Sequence, residues 1–336
     1  MSSVMNIPLS EKPFFIVGAP RSGTTLLRMI LCSHPRLYIP SETGFLPFLN
    51  TPPDTMLSLA HVQQVLDRIG KLNRSWANIV SDPPDYYQSL PEPTLAHVID
   101  KLYRMKIAPF GAVRWGDKTP LYIEYIPTIQ AIFPDAQFIH LIRDGRDVAL
   151  SSKKKWGNQI HIDLYYLLKN WARHMDLAHR IRTQIDQEHF LEVKYEDLVM
   201  QPQKTVEILC HFLGEDFNPM MLDHPQIAKE ITGPRGHQEV LKPISTESVW
   251  RWEKELPPFE RKLADRIAGP ALARLGYKLA QDGPFTPIQS LHYFFLSVKY
   301  GGFQTLRRTL YRMGILTLNK HKRNTSKSAE SMVERA

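Results

Sequence analysis

A short apolar run, Phe14-Phe15-Ile16-Val17, stops at Gly18, passes through Ala19-Pro20-Arg21-Ser22 to a second glycine at Gly23, and then becomes a helical repeat. Aromatic and β-branched residues in so short a run read as a buried parallel strand. Leu26, Leu27, Ile30 and Leu31 recur at helical spacing, so Thr24 to Ser33 reads as a helix. Two glycines separated by four residues between a strand and a helix have the spacing of an anion-holding loop. Glycine lets the backbone approach an anion, and the free N–H groups of the helix start point at it with the positive end of the dipole.

The rest of the chain repeats the alternation. Gln137-Phe138-Ile139-His140-Leu141-Ile142 reads as a second buried strand, with a helix over Asp144 to Lys155. Phe190-Leu191-Glu192-Val193-Lys194 reads as a third, with a helix over Pro202 to Leu213. Strands alternating with helices imply an α/β fold, a P-loop-type parallel sheet flanked by helices. Residues 1–12 read as an N-terminal arm and 13–283 as the main α/β domain. Within it 41–136, rich in Pro and helical patterning, is taken as a helical insertion capping the site. Residues 284–336 form a basic, aromatic C-terminal extension whose end is polar enough to be disordered. The irregular stretch from Ile231 to Trp252 has the composition of a loop that folds over a ligand.

Composition narrows the classes. With 43% apolar and 23% charged residues the chain is an ordinary globular protein. Its formal charge is +8, but Ser297 to Ala336 holds nine Lys or Arg against two Glu, so +7 of the excess belongs to the tail. The nearly neutral remainder argues against a nucleic-acid-binding core. Cys32 and Cys210 lie in apolar helical stretches and read as buried thiols. His34 and His140 read as packing or hydrogen-bonding residues, and Lys153-Lys154-Lys155 as a solvated helix end. No signal peptide and no apolar run of membrane-spanning length is apparent, so a cytoplasmic protein is expected. No cluster with ligand spacing calls for a metal.

Where a triphosphate loop carries Lys after its last glycine, this loop carries Thr24, and its cation is Arg21. It is therefore expected to hold a smaller anionic group, such as one phosphate with its sulfate. Gly18 to Leu27 resembles the 5′-phosphosulfate loop of sulfotransferases that use 3′-phosphoadenosine 5′-phosphosulfate (PAPS), in the form seen in tyrosylprotein and related bacterial enzymes. The resemblance implies contacts from Arg21, Ser22, Gly23, Thr24 and Thr25. Leu141 to Ser151 resembles the family's 3′-phosphate site, with Arg143 at the strand end and Ser151 eight residues on. Glu42 matches the catalytic base of the tyrosylprotein branch, and Lys118, in Gly116-Asp117-Lys118-Thr119-Pro120, a lysine that steadies the departing bridge oxygen. Tyr195 and Lys242 match residues that close over the nucleotide, and Trp252 follows at the family's distance.

The resemblance spans about Pro13 to Pro257. Arg235-Gly236-His237-Gln238 departs from it, standing where the animal tyrosylprotein enzymes have a serine-containing stretch. It implies catalysis by Glu42, Lys118 and Arg21, PAPS as co-substrate, no metal, and a hydroxyl acceptor that is a sugar, a lipid, a small alcohol or a peptide tyrosine. A P-loop kinase and a non-catalytic, membrane-associated nucleotide-binding module are the rival readings. The stretch from Ile288 to Leu318 mixes apolar with basic residues. Two readings of it stay open: an amphipathic helix packed on its own domain, or one in peripheral contact with an anionic membrane.

Overall fold

The computed structural model describes residues 9, 11–53, 55–156, 163–232 and 238–312, apart from the side chains of 232, 238, 307, 308, 311 and 312. The anticipated first unit is present. Strand β1 (Phe14–Gly18) is buried along its whole length and leads through the loop into α1 (Thr24–Cys32). After β2 (Leu37–Tyr38) come α2 (Leu59–Leu72), α3 (Pro83–Gln88) and α4 (Leu95–Ile107), then β3 (Arg114–Lys118) and α5 (Ile126–Ile132). Ser58 and Thr94 start α2 and α4 by accepting hydrogen bonds from the amides of His61 and His97, the usual remedy for unpaired N–H groups at a helix start.

Two further strand–helix units follow. β4 (Gln137–Ile142) leads into α6 (Gly145–Trp156) and then α7 (Leu164–Arg182); β5 (Phe190–Lys194) leads into α8 (Tyr195–Met200) and α9 (Pro202–Leu213). The chain closes with α10 (His224–Thr232), α11 (Trp252–Glu255), α12 (Pro258–Arg274) and α13 (Pro287–Arg312). All strand pairs are parallel, in the order β2-β3-β1-β4-β5. Phe14 pairs with Gly116 on one side and Gln137 on the other, which puts β1 at the centre.

β3 corrects the expectation that 41–136 is a helical insertion. The segment supplies helices, but it also supplies a strand lying directly against β1. Arg-Trp-Gly-Asp-Lys lacks an apolar run, yet every residue of β3 is buried because its polar groups are partnered. Arg114 donates to the Lys12 carbonyl at 2.7 Å and to Gln137 at 2.5 Å, and stacks on Phe14. Buried charge is tolerated when hydrogen-bonded in this way. Around it lies an aromatic core in which Phe15, fully buried, meets Trp115 at 5.9 Å and Phe138 at 5.4 Å. Burial of one such ring contributes about 2–3 kcal/mol.

The cysteines are buried free thiols, and burial pushes Cys32 up to about 11, away from nucleophilic chemistry. His34 bonds the Asp216 carbonyl and His140 bonds Glu192, structural roles for both. Of the Ile231–Trp252 stretch, 233–237 lie outside the described residues, as does everything after 312.

Candidate active site

β1 and β4 are neighbours, and Gly18 lies in register with Leu141, so the turns that leave these two strands are side by side. This register brings Arg21 and Arg143 together. Arg143 Nη1 donates to the Arg21 carbonyl at 3.2 Å, and Arg21 Nε donates to Ser151 Oγ, on α6, at 3.3 Å. Arg143 also donates to the Ser248 carbonyl at 2.6 Å and lies 4.5 Å over the ring of Tyr195. Four residues picked from separate parts of the sequence thus form one constellation.

The loop backbone is held in conformations side chains rarely adopt. Gly23 has φ 99° and Arg21 has φ 72°. For Arg21 the left-handed conformation costs on the order of 1 kcal/mol, which a glycine would avoid, so the guanidinium is what the position keeps. A Cβ on Gly23 would overlap the Tyr195 ring. Tyr195 therefore packs directly on the loop and on Arg143, joining the two turns.

Burial and the like charge of Arg143 pull the Arg21 guanidinium below its ordinary value, while Glu239 opposes them. Two crowded, desolvated cations favour an anion between or beside them. The Oγ of Ser22 and the Nε of Arg143 are buried without a hydrogen-bond partner among the described residues. Unsatisfied buried donors call for a ligand. Both fit an adenosine carrying a 5′-phosphosulfate and a 3′-phosphate.

Beyond the loop, Lys118 leaves the end of β3 with its side chain 5% exposed, and its ammonium donates to Glu42 Oε1 at 2.6 Å and to Thr25 Oγ1 at 3.4 Å. Burial lowers its proton affinity, and the charge of Glu42 resists that. Glu42 itself is 45% exposed on its side chain. A carboxylate open to solvent and an ammonium turned into the protein are thus held at the edge of the anion loop.

Several supporting residues escaped the sequence reading. Asn73 Nδ2 donates to the carbonyls of Glu42 and Thr43, each at 3.1 Å. Thr43 Oγ1 and the Tyr103 hydroxyl both donate to the buried Asp117 carboxylate, Thr119 Oγ1 donates to it at 2.8 Å, and Tyr122 bonds Thr43 at 2.8 Å. Burial raises Asp117 above the usual carboxylate range. The network fixes the backbone on either side of Glu42 and Lys118. Asp117 and Thr119 have a sequence signal in the polar Gly116–Pro120 run around Lys118; the other members have none.

Lys242 stands apart. Its side chain is 66% exposed and its ammonium lies 3.5 Å from Glu239. The turn just before it, Gln238–Leu241, rests on α1 through Val240 and Met29. Trp252 is buried beneath Arg146, whose guanidinium lies 3.4 Å from its ring, and its amide donates to Asp147 at 2.9 Å.

Residues 13–219 match the profile of the sulfotransferase family. The chain belongs to that family. It is 26% identical over 276 residues to protein-tyrosine sulfotransferase of Drosophila melanogaster, covering 78% of this chain and 51% of that protein. With protein-tyrosine sulfotransferase 1 of Danio rerio it shares 28% over 275 residues, covering 78% and 71%. The fold is similar to the sulfotransferase domain of the Synechococcus PCC 7002 olefin synthase, with TM-score 0.57, 25% identity and coverage of 80% and 96%. This is a sulfotransferase domain, an enzyme of PAPS-dependent sulfuryl transfer to hydroxyl acceptors, and the kinase and non-catalytic readings are not favoured.

Proposed function

We propose that the two turns divide the nucleotide between them: Arg143 and Ser151 hold the 3′-phosphate, while Arg21, Ser22 and the amides of Gly23, Thr24 and Thr25 hold the 5′-phosphosulfate. Tyr195 lies against both, and Lys242 closes from the turn above α1. PAPS supplies the sulfuryl group. Glu42 accepts the acceptor's hydroxyl proton, because an alcohol attacks sulfur poorly while it keeps that proton. Lys118, buried, and Arg21, half-buried, neutralise the charge that grows on the oxygen released from sulfur, and Lys118 acts with little water to shed.

The observation that supports this reading best is the Glu42–Lys118 pair. It puts a solvent-facing base and a buried cation 2.6 Å apart, with Lys118 also reaching Thr25 of the loop. A base facing solvent is open to an incoming acceptor, and a buried cation is suited to the leaving side.

For the acceptor, protein tyrosine is the first candidate, because relatives covering most of the chain are protein-tyrosine sulfotransferases. Sugars, lipids and small alcohols complete the set. Transfer of radiolabelled sulfate from PAPS to a panel of tyrosine peptides, phenols, sugars and lipids tests both points. Labelled product identifies the acceptor class; bisphosphate binding with no product from any of them contradicts the catalytic reading.

A further inference from the structure

Within the extension after residue 283, Pro287–Arg312 form a 26-residue helix, α13, about 39 Å long at the usual rise per residue. One side is fastened to the domain. Tyr293 and Tyr300 each lie 5.7 Å from Tyr165 of α7, His292 stacks on Phe259 of α12 at 5.1 Å, and Lys299 bonds Asp163 at 2.7 Å. Those contacts hold the opposite side outward, and that side is apolar. Ile288, Leu291, Phe294, Phe295 and Val298 recur at three- and four-residue steps, Leu306 follows eight residues later, and all six are 55–81% exposed. A helix recruited only to cover its own domain would turn this stripe inward.

Charge says what fits the stripe. Between 287 and 306 the one charged residue is Lys299, already engaged by Asp163. The next seventeen positions, 307–323, contain six cations (Arg307, Arg308, Arg312, Lys320, Lys322, Arg323) and no acidic residue. We infer that the outward face of α13 is a docking surface for an anionic lipid bilayer. The helix lies flat, its Leu, Ile and Phe side chains enter the acyl boundary, and the positive charge of the sequence that follows complements anionic headgroups. Among the described residues no helix is long and apolar enough to cross a membrane, which fits a helix that lies on one. A second copy would bring the same cationic sequence without a counter-charge, whereas anionic headgroups supply it. This inference is independent of the roles proposed for the catalytic residues.

Flotation of the full chain with vesicles of phosphatidylcholine alone, and with about 30% phosphatidylserine added, tests it. The full chain is expected to float with the anionic vesicles, to release in high salt, and to float little with the neutral ones. A Phe294→Ser/Phe295→Ser variant should lose at least about fivefold in bound fraction while keeping its thermal midpoint, since both rings are exposed. Absence of the full chain from the anionic vesicle fraction overturns the inference, as does equal flotation of the variant. A dimer that the two substitutions dissolve, with no flotation, assigns the face to a second copy instead.

Discussion

Lys118 Nζ lies 2.6 Å from Glu42 Oε1, joining the end of a central strand to a loop 76 residues earlier in the chain. The pair is asymmetric in solvent: the ammonium side chain is 5% exposed and the carboxylate side chain 45%. Removing the carboxylate therefore takes the base from the acceptor and the counter-charge from the buried lysine together. Glu42→Gln should lower sulfate transfer about 100- to 10,000-fold, the range for a lost general base. Affinity for adenosine 3′,5′-bisphosphate should stay within about threefold, because Glu42 faces solvent and not the two arginines. Steady-state kinetics with parallel calorimetry check this, and turnover equal to that of the unaltered protein would refute the assignment.

Gly23 and Gly214 both have positive φ, 99° and 74°, but an added Cβ meets the Tyr195 ring at Gly23 and open space at Gly214. Gly214→Ala should cost on the order of 1 kcal/mol in stability and leave bisphosphate binding unchanged. Gly23→Ala should lower the melting temperature further and weaken bisphosphate binding at least about tenfold, since the ring that joins the two turns must move. Equal binding by the two variants would show that Tyr195 does not organise the site.

The sequence made the strand–helix units legible where apolar runs stood alone. Phe14–Gly18, Gln137–Ile142 and Phe190–Lys194 are strands, and Pro202–Leu213 is a helix with Pro in its first turn and Gly214 just past its end. The loop glycines, Arg21, Arg143, Ser151 and Tyr195 come together because β1, β4 and β5 lie side by side in that order. β3 was hidden because a strand made buried by Arg114, Asp117 and Lys118 has no hydrophobic period to read. Its stability lies in partners up to 102 residues away, such as Lys12 for Arg114, and no local pattern records them. Asn73 was hidden for the same reason: an exposed-looking Asn beyond α2 reveals its contacts with Glu42 and Thr43 only when the chain is folded.

Asp147 carries a pH dependence. Burial, and then the charge of Asp144, raise it from 3.8 to about 6, and its Oδ2 has no partner among the described residues. Because the folded form binds the proton more tightly than the unfolded one, this group's penalty is absent below the unfolded value near 4. The penalty grows as pH rises toward 6 and is complete above that. Asp147→Asn should therefore gain stability relative to the unaltered protein as pH goes from 4 to 7, by on the order of 2 kcal/mol, while its amide oxygen still accepts from the Trp252 amide. Denaturant unfolding at several pH values reads this. A constant difference across that range would mean Asp147 titrates like an exposed carboxylate.

Calorimetric titration of adenosine 3′,5′-bisphosphate into the unaltered protein and into Arg143→Ala tests the central claim most directly, that two adjoining turns grip opposite ends of one nucleotide. One site per chain is predicted, with the variant at least about tenfold weaker for want of a charged, hydrogen-bonded phosphate contact. The same dissociation constant for both proteins would contradict it.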